Sequence, residues 1–416
     1  MRRRVGKNAC WFALAGAGVA LCAWLGLKSF AWSDYETEAR PAFEALVHGD
    51  ALAFLRLSPA YGGSLVLRAP FALLPGLWGG GSLAVYRAVA APCLLAAAAL
   101  GVWLAVRARR DGQTRLVAAV ALLLCAANPI AIYALEYGHP EDLLCATFAL
   151  AAVLCACSDR PLWTGALVGL AFATKAWGLV ALAPALAALS CHRPRALASA
   201  AACAVLVLAP LTLARSHASL ASSGAAAANT GTLFTPWQAW WWLGPDARSV
   251  HNAAGQTLTG YRAAPALVAR IAHPLIVLLP IPLALLWLLR GRRRERADAL
   301  ALLALALLAR GLLDPWDNVY YLLPFVLALT AWETVARRRA PLLGLLASML
   351  TLLSFELAPS YLSPDGQAML FAAWTVPLAG LLATVLYGAP AARLRLASAL
   401  ARPSVRRQSA APGAGS

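Results

Sequence analysis

Asp34 follows Trp32 and Ser33 at the end of an apolar run, with Glu36, Glu38 and Arg40 close behind. A carboxylate there could take a proton from an attacking hydroxyl, with Glu36 and Arg40 binding substrate beside it, although Asp is also an ordinary helix cap. A second group is the string ALEYGHPED, which supplies Glu136, His139, Glu141 and Asp142. Gly138 permits a tight turn and Pro140 suits a first helical turn, so Glu141 and Asp142 would stand near the positive end of the next helix. Capping by itself would explain those two acids. His139 could donate to a sugar or phosphate oxygen, or make a structural hydrogen bond. One histidine with several acids also offers ligand types for a divalent cation, Mg2+ or Mn2+. Their spacing matches no specific ligand pattern, and no other cofactor is expected.

Lys175 stands alone in an apolar stretch from 162 to 190. A charge there is costly unless it finds a partner or reaches water, which makes Lys175 the first candidate for binding a phosphate; snorkelling or pairing with an acid is the alternative. The fourth group, RGLLDPWDNVYY, brings Arg310, Asp314, Asp317 and Tyr320 around Pro315 and Trp316. Such a turn could grip saccharide hydroxyls against an aromatic platform, and Asp-Pro and Asp-Asn are equally common turn chemistry. Arg215, beside His217, ends another apolar run and could join Lys175 and Arg310 in neutralising a phosphate leaving group.

The elements that must position these residues are membrane helices. Of 416 residues, 61% are hydrophobic and 13% charged, against a usual charged fraction of about 25%, which excludes an ordinary soluble enzyme, a disordered chain or a disulfide module. Nine cysteines form no zinc or disulfide pattern. Apolar runs at 10–32, 83–106, 115–135, 142–157, 162–190, 196–214, 268–289, 299–313, 319–336, 341–358 and 367–388 predict an all-α polytopic membrane protein with about 11–12 transmembrane segments. The higher number follows if the 162–190 run breaks at Thr174, Lys175 and Ala176 into two short helices.

The connections alternate in charge, and one set holds 24 of the 35 basic residues. The positive-inside bias places that set, and both termini, in the cytoplasm of a multi-pass plasma-membrane protein, with the acidic clusters and the proposed active site outside. The net charge of +17 then calls for phospholipid headgroups as partners, not nucleic acid. The expected organisation is a basic N-terminus (1–9), a transmembrane domain (10–388) with outer loops at 33–82 and 215–267, and a disordered basic tail (389–416). In the first outer loop, Ala42, Phe43, Leu46 and Val47, then Leu52, Phe54 and Leu55, fit short amphipathic helices lying along the interface. Trp237, Trp240, Trp241 and Trp242 would anchor the second loop or line a lipid-facing groove. Phosphate-loop, dinucleotide, zinc-protease and nucleophile-elbow motifs are all missing.

The strings DYETEARPAFEALVHGD, PAYGGSLVLRAPFAL, YGHPED, ATKAW and LLDPWDNVYY make the chain resemble the integral membrane glycosyltransferases of the GT-C fold over roughly residues 10–388. It is most similar to the actinobacterial alpha-mannosyltransferases that depend on polyprenyl-phosphate mannose, the glycosyltransferase family 87 group. That resemblance implies a polyprenyl-phosphate sugar donor, a lipid or cell-envelope glycan acceptor, and Asp34 as catalytic base with Glu36 as fallback. Basic residues near the donor phosphate are general in the fold, and Lys175 with Arg215 or Arg310 would fill that place. A transporter or flippase of a lipid-linked or polar envelope precursor is the rival reading, and a noncatalytic scaffold a third. Transferred sugar, acceptor, linkage, metal dependence and oligomeric state are open at this level.

Overall fold

The computed structural model describes residues 2–59, 61–215, 233–245, 247–251, 257–290 and 295–388. The tail expectation for 389–416 and the pairing of His217 with Arg215 lie outside the described residues. The α-helices in chain order are α1 (Arg2–Gly26), α2 (Arg40–Val47), α3 (Ala51–Leu57), α4 (Gly62–Ala72), α5 (Ser82–Arg110), α6 (Arg115–Ala126), α7 (Pro129–Glu136), α8 (Glu141–Cys157) and α9 (Pro161–Thr174). They continue with α10 (Leu182–Ala188), α11 (Arg193–Ala214), α12 (Ala266–Leu278), α13 (Pro280–Arg290), α14 (Ala299–Leu313), α15 (Leu323–Ala331), α16 (Leu342–Leu352) and α17 (Pro364–Tyr387).

The protein is a multi-pass membrane protein: among the described residues, 8 helical segments are long and apolar enough to cross a bilayer, from Ala9–Gly26 to Pro364–Tyr387. Between them run shorter apolar helices, including α8, α9, α10 and α14. α14 and α15 are buried on almost every face, as helices that are apolar all round must be when they sit inside a bundle.

Local chemistry sets the boundaries. Pro129 opens α7 beneath an Asn128 cap whose Oδ1 accepts from the Ile130 N–H. Thr114 caps α6 through the Val117 N–H, and Ser363 caps α17 through the Gly366 N–H. The 162–190 run does break at Lys175, whose backbone is extended (φ −149, ψ 142) between α9 and a 3-10 turn over Ala176–Ala181.

The arginine-bearing turns gather at one end of the bundle. Arg296 pairs with Asp159 at 2.7 Å, Arg337 with Asp298 at 3.3 Å, and the Gln113 amide donates to the Thr334 carbonyl at 2.8 Å. The Asp34, Glu141 and Asp142 carboxylates lie away from these turns, so the alternation of charge along the sequence becomes two chemically different regions.

The first long connection folds into α2, α3 and α4. Phe43 and Phe54, expected on an apolar face, pack inward against each other, and Phe43 also stacks on Tyr35. The second long connection departs from a purely helical expectation. It holds a three-stranded antiparallel sheet, β1 (Leu233–Phe234), β2 (Ala247–His251) and β3 (Thr257–Ala263), in the order β1-β3-β2. Three of its four tryptophans turn to protein rather than lipid: the indole N–H groups of Trp237, Trp240 and Trp241 donate to the Ser354 carbonyl, the Leu313 carbonyl and Asp365. Trp242 stays about half exposed.

Candidate active site

Asp34 reaches its place through a contact between two turns. Trp32 takes a left-handed backbone (φ 65) just past α1, and the Asp34 N–H donates to the Tyr137 carbonyl at 3.0 Å. The opposing turn passes through Gly138 at φ 88, and a Cβ built there would lie 2.3 Å from the Tyr35 nitrogen. Glycine supplies both the positive φ and the close approach.

Across this contact His139 is held between two carboxylates. Its Nε2 lies 2.8 Å from Asp34 Oδ2 and its Nδ1 2.7 Å from Glu141 Oε1. Burial and the nearby Lys175 ammonium oppose a charged imidazole. The hydrogen bonds to Asp34 and Glu141 outweigh them and hold its pKa up at about 9. Both ring nitrogens then donate, and the ring is an imidazolium at neutral pH.

Glu141 is also gripped by Arg68, whose Nη2 lies 3.1 Å from Oε2 while its guanidinium donates to the backbone and hydroxyl of Ser64 one turn earlier. Lys175 sits 2.6 Å from Asp142 and 3.4 Å from Glu141. The other Asp142 oxygen accepts from the Trp177 indole at 3.1 Å. Three carboxylates thus face three cations, the condition under which charges tolerate burial. Arg68, Glu141 and Asp142 are shut away, while the Asp34 side chain is 54% exposed. Of the six, it is the carboxylate a substrate can reach.

Aromatic rings wall the cluster. Tyr320 lies 5.3 Å from the His139 ring and Tyr61 meets that ring edge-on at 5.7 Å. Tyr61 also lies under the Lys175 ammonium and donates from its hydroxyl to Glu38. Behind Asp142, the Arg310 guanidinium is stacked between Trp177 and Tyr321 at 4.5 and 4.4 Å and bonds the Tyr321 carbonyl.

The DPWDN turn follows at the end of α14. Asp314 faces His273 at 3.7 Å. Asp317 accepts from the Asn318 N–H with one oxygen, and its other oxygen is buried without a hydrogen-bond partner among the described residues. Burial, with the adjacent Asp314 charge, raises the Asp317 pKa well above the usual carboxylate range.

The structure therefore brings Asp34, His139, Glu141, Asp142, Lys175 and Tyr320 together and sets Arg310, Asp314 and Asp317 one layer behind. It does not draw in the remaining candidates. Glu36 accepts from the Trp32 N–H and forms a partly exposed ladder with Arg40 and Glu44. Glu136 is exposed at the end of α7. Arg215 donates to the Pro59 carbonyl, two residues before Tyr61. Three participants were not singled out from sequence: Arg68, Tyr61 and Trp177. Their signals were a lone charge in the apolar string GGSLVLRAPFA and the aromatic residue two places after Lys175.

His139, Glu141 and Asp142 also group three metal-ligand atoms within 4.8 Å of one another. Lys175 and Arg68 already compensate those carboxylates, so a divalent cation would fit there only on displacement of the Lys175 ammonium and loss of a proton from the His139 ring.

The sequence profile of Glycosyltransferase family 87 matches residues 61–314, more than half of the chain, and the protein belongs to that family. The matched stretch contains His139, Glu141, Asp142, Lys175 and Arg310, and begins after Asp34. No curated protein matches the chain.

Proposed function

From membership of this glycosyltransferase family, we propose that the protein transfers mannose from a polyprenyl-phosphate donor to a lipid or cell-envelope glycan acceptor, on the extracytoplasmic side of the plasma membrane. The observation that carries this reading is the half-exposed Asp34 carboxylate, held at one oxygen by an imidazolium that Glu141 and Arg68 hold in turn. The acceptor hydroxyl gives its proton to Asp34 as its oxygen bonds the anomeric carbon, and the bond from that carbon to the phosphate oxygen breaks. The polyprenyl phosphate leaves as an anion. Such a leaving group is weakly basic and needs cationic stabilisation more than a general acid. Lys175, partly exposed beside Asp34's partner His139, can offer that charge without leaving Asp142. Attack opposite the phosphate would invert the anomeric centre.

The side of the membrane follows from the arginine-rich end facing the cytoplasm, with both termini there. In this reading residues 10–388 act as one transmembrane unit, with the loops at 33–82 and 215–267 on the acceptor side and α2 and α3 along the bilayer surface. The test is transfer of radiolabelled mannose from polyprenyl-phosphate mannose into endogenous acceptors, in membranes holding wild-type protein or Asp34→Asn at equal abundance. Product with wild type alone is the expected result, and equal product from both would remove Asp34 from the reaction.

A further inference from the structure

The arginine-rich end contains a cavity of about 680 Å³, lined by Arg107, Arg337, Arg338, Glu295, Trp103 and Ser158 among others. Its size falls in the range of small-molecule sites, roughly 300–1,000 Å³. Three arginines and one glutamate are among its lining residues, and two of the arginines are already paired. Arg107 pairs with Asp111 at 2.9 Å and Arg337 with Asp298 at 3.3 Å. Arg338 makes no ion pair among the described residues. Its backbone is left-handed (φ 49), where glycine or asparagine would be less strained, so backbone ease does not explain an arginine at this position.

A second hollow of about 360 Å³ adjoins the first, sharing Trp103 and Arg107 with it. Its other walls are apolar: Phe12 from α1, and Ala99, Val102 and Val106 from α5, with Arg110 at one end. Phe12 and Trp103 are exposed large hydrophobic side chains, at 64% and 44%. An arginine-lined chamber with one guanidinium that makes no ion pair among the described residues, joined to an apolar groove on a membrane-spanning helix, matches an amphiphile with an anionic head and a hydrocarbon chain.

We infer that this end of the protein binds an anionic phospholipid, its phosphate between Arg107, Arg337 and Arg338 and one acyl chain along α5 against Phe12, Val102 and Val106. Basic pockets between membrane helices attract anionic headgroups in this way. The site is separate from the Asp34 cluster, so its test does not depend on sugar transfer.

Full-length protein, delipidated in detergent, would be titrated with phosphatidylglycerol, phosphatidylcholine or inorganic phosphate while its thermal unfolding is followed. Phosphatidylglycerol is expected to raise the melting temperature saturably and the other two to do much less. Arg338→Asn removes the charge and keeps a residue tolerant of the left-handed backbone, and should weaken the phosphatidylglycerol response about fivefold, the factor for one basic residue at an anionic surface. Trp103→Ala should weaken it as well, through the groove. Equal responses to the two lipids, a full response to inorganic phosphate alone, or unchanged affinity in Arg338→Asn would each overturn the site.

Discussion

At the Asp34 end, three carboxylates and three cations are matched within hydrogen-bond reach and largely buried. At the opposite end, Arg107 and Arg337 are 44% and 36% exposed, and Arg338 makes no ion pair among the described residues. The difference follows from solvation. A charge removed from water must be paired where it stands, so the first end is a fixed constellation in which each group orients the next. A charge that keeps its water or meets a headgroup can remain unmatched, and its work is done by the field of the whole cluster. Removing a buried member of the first set therefore strands its partners, whereas removing one of the second lowers a sum.

The sharpest break of that contrast is Asp34→Asn. Loss of a general base is expected to lower transfer about 100- to 10,000-fold while the melting temperature changes little, because Asp34 is the exposed member; rates at matched abundance check it. Arg68→Met should cost about 3–5 kcal/mol of stability by leaving Glu141 buried without its guanidinium, measured by denaturant unfolding in detergent. Adding Glu141→Gln should recover part of that loss.

His139 sharpens the comparison through pH. Its folded pKa, about 9, lies above the ordinary 6.5, so its contribution is fully present below about pH 6.5 and is lost as pH rises towards 9. About 3 kcal/mol is the scale of that loss, and in His139→Asn the melting curve should be flat over the same window. Trp177→Phe keeps a ring against Arg310 but removes the donor to Asp142, for about 1–3 kcal/mol in the same unfolding assay. Smallest of all, Arg107→Gln at the other end should shift stability by about 0–1 kcal/mol, since the Arg107 side chain is 44% exposed and its charge is largely solvated. A loss from Arg107→Gln as large as that from Arg68→Met would erase the distinction between the ends.

Much of the scaffold is legible from residue order alone. Most apolar runs become helices close to their expected limits, although the first ends early at Gly26 and 8 segments, not 11–12, are long and apolar enough to span, and Lys175 marks a real break at which its ammonium meets Asp142 and Glu141. The second outer connection was not legible in the same way: the strands are short, and its tryptophans bond to carbonyls and a carboxylate contributed by α14, α17 and the segment after α16. Periodicity carries no information about partners so far along the chain.

The sequence by itself determined a helical membrane protein with its basic turns segregated from its acidic ones, because hydrocarbon excludes unpaired charge and each helix must be apolar along its own length. It also marked Asp34, His139, Glu141, Asp142 and Lys175 as residues lipid burial alone does not explain. What the tertiary structure decided is how those residues act on one another. Asp34 and His139 are 105 positions apart and Arg68 and Glu141 are 73 apart, and they meet because Gly138 lets one turn lie against Tyr35 and because α4 packs on the bundle. Charge pairing depends on distances of a few ångströms, and those are set by packing among helices far apart in the chain.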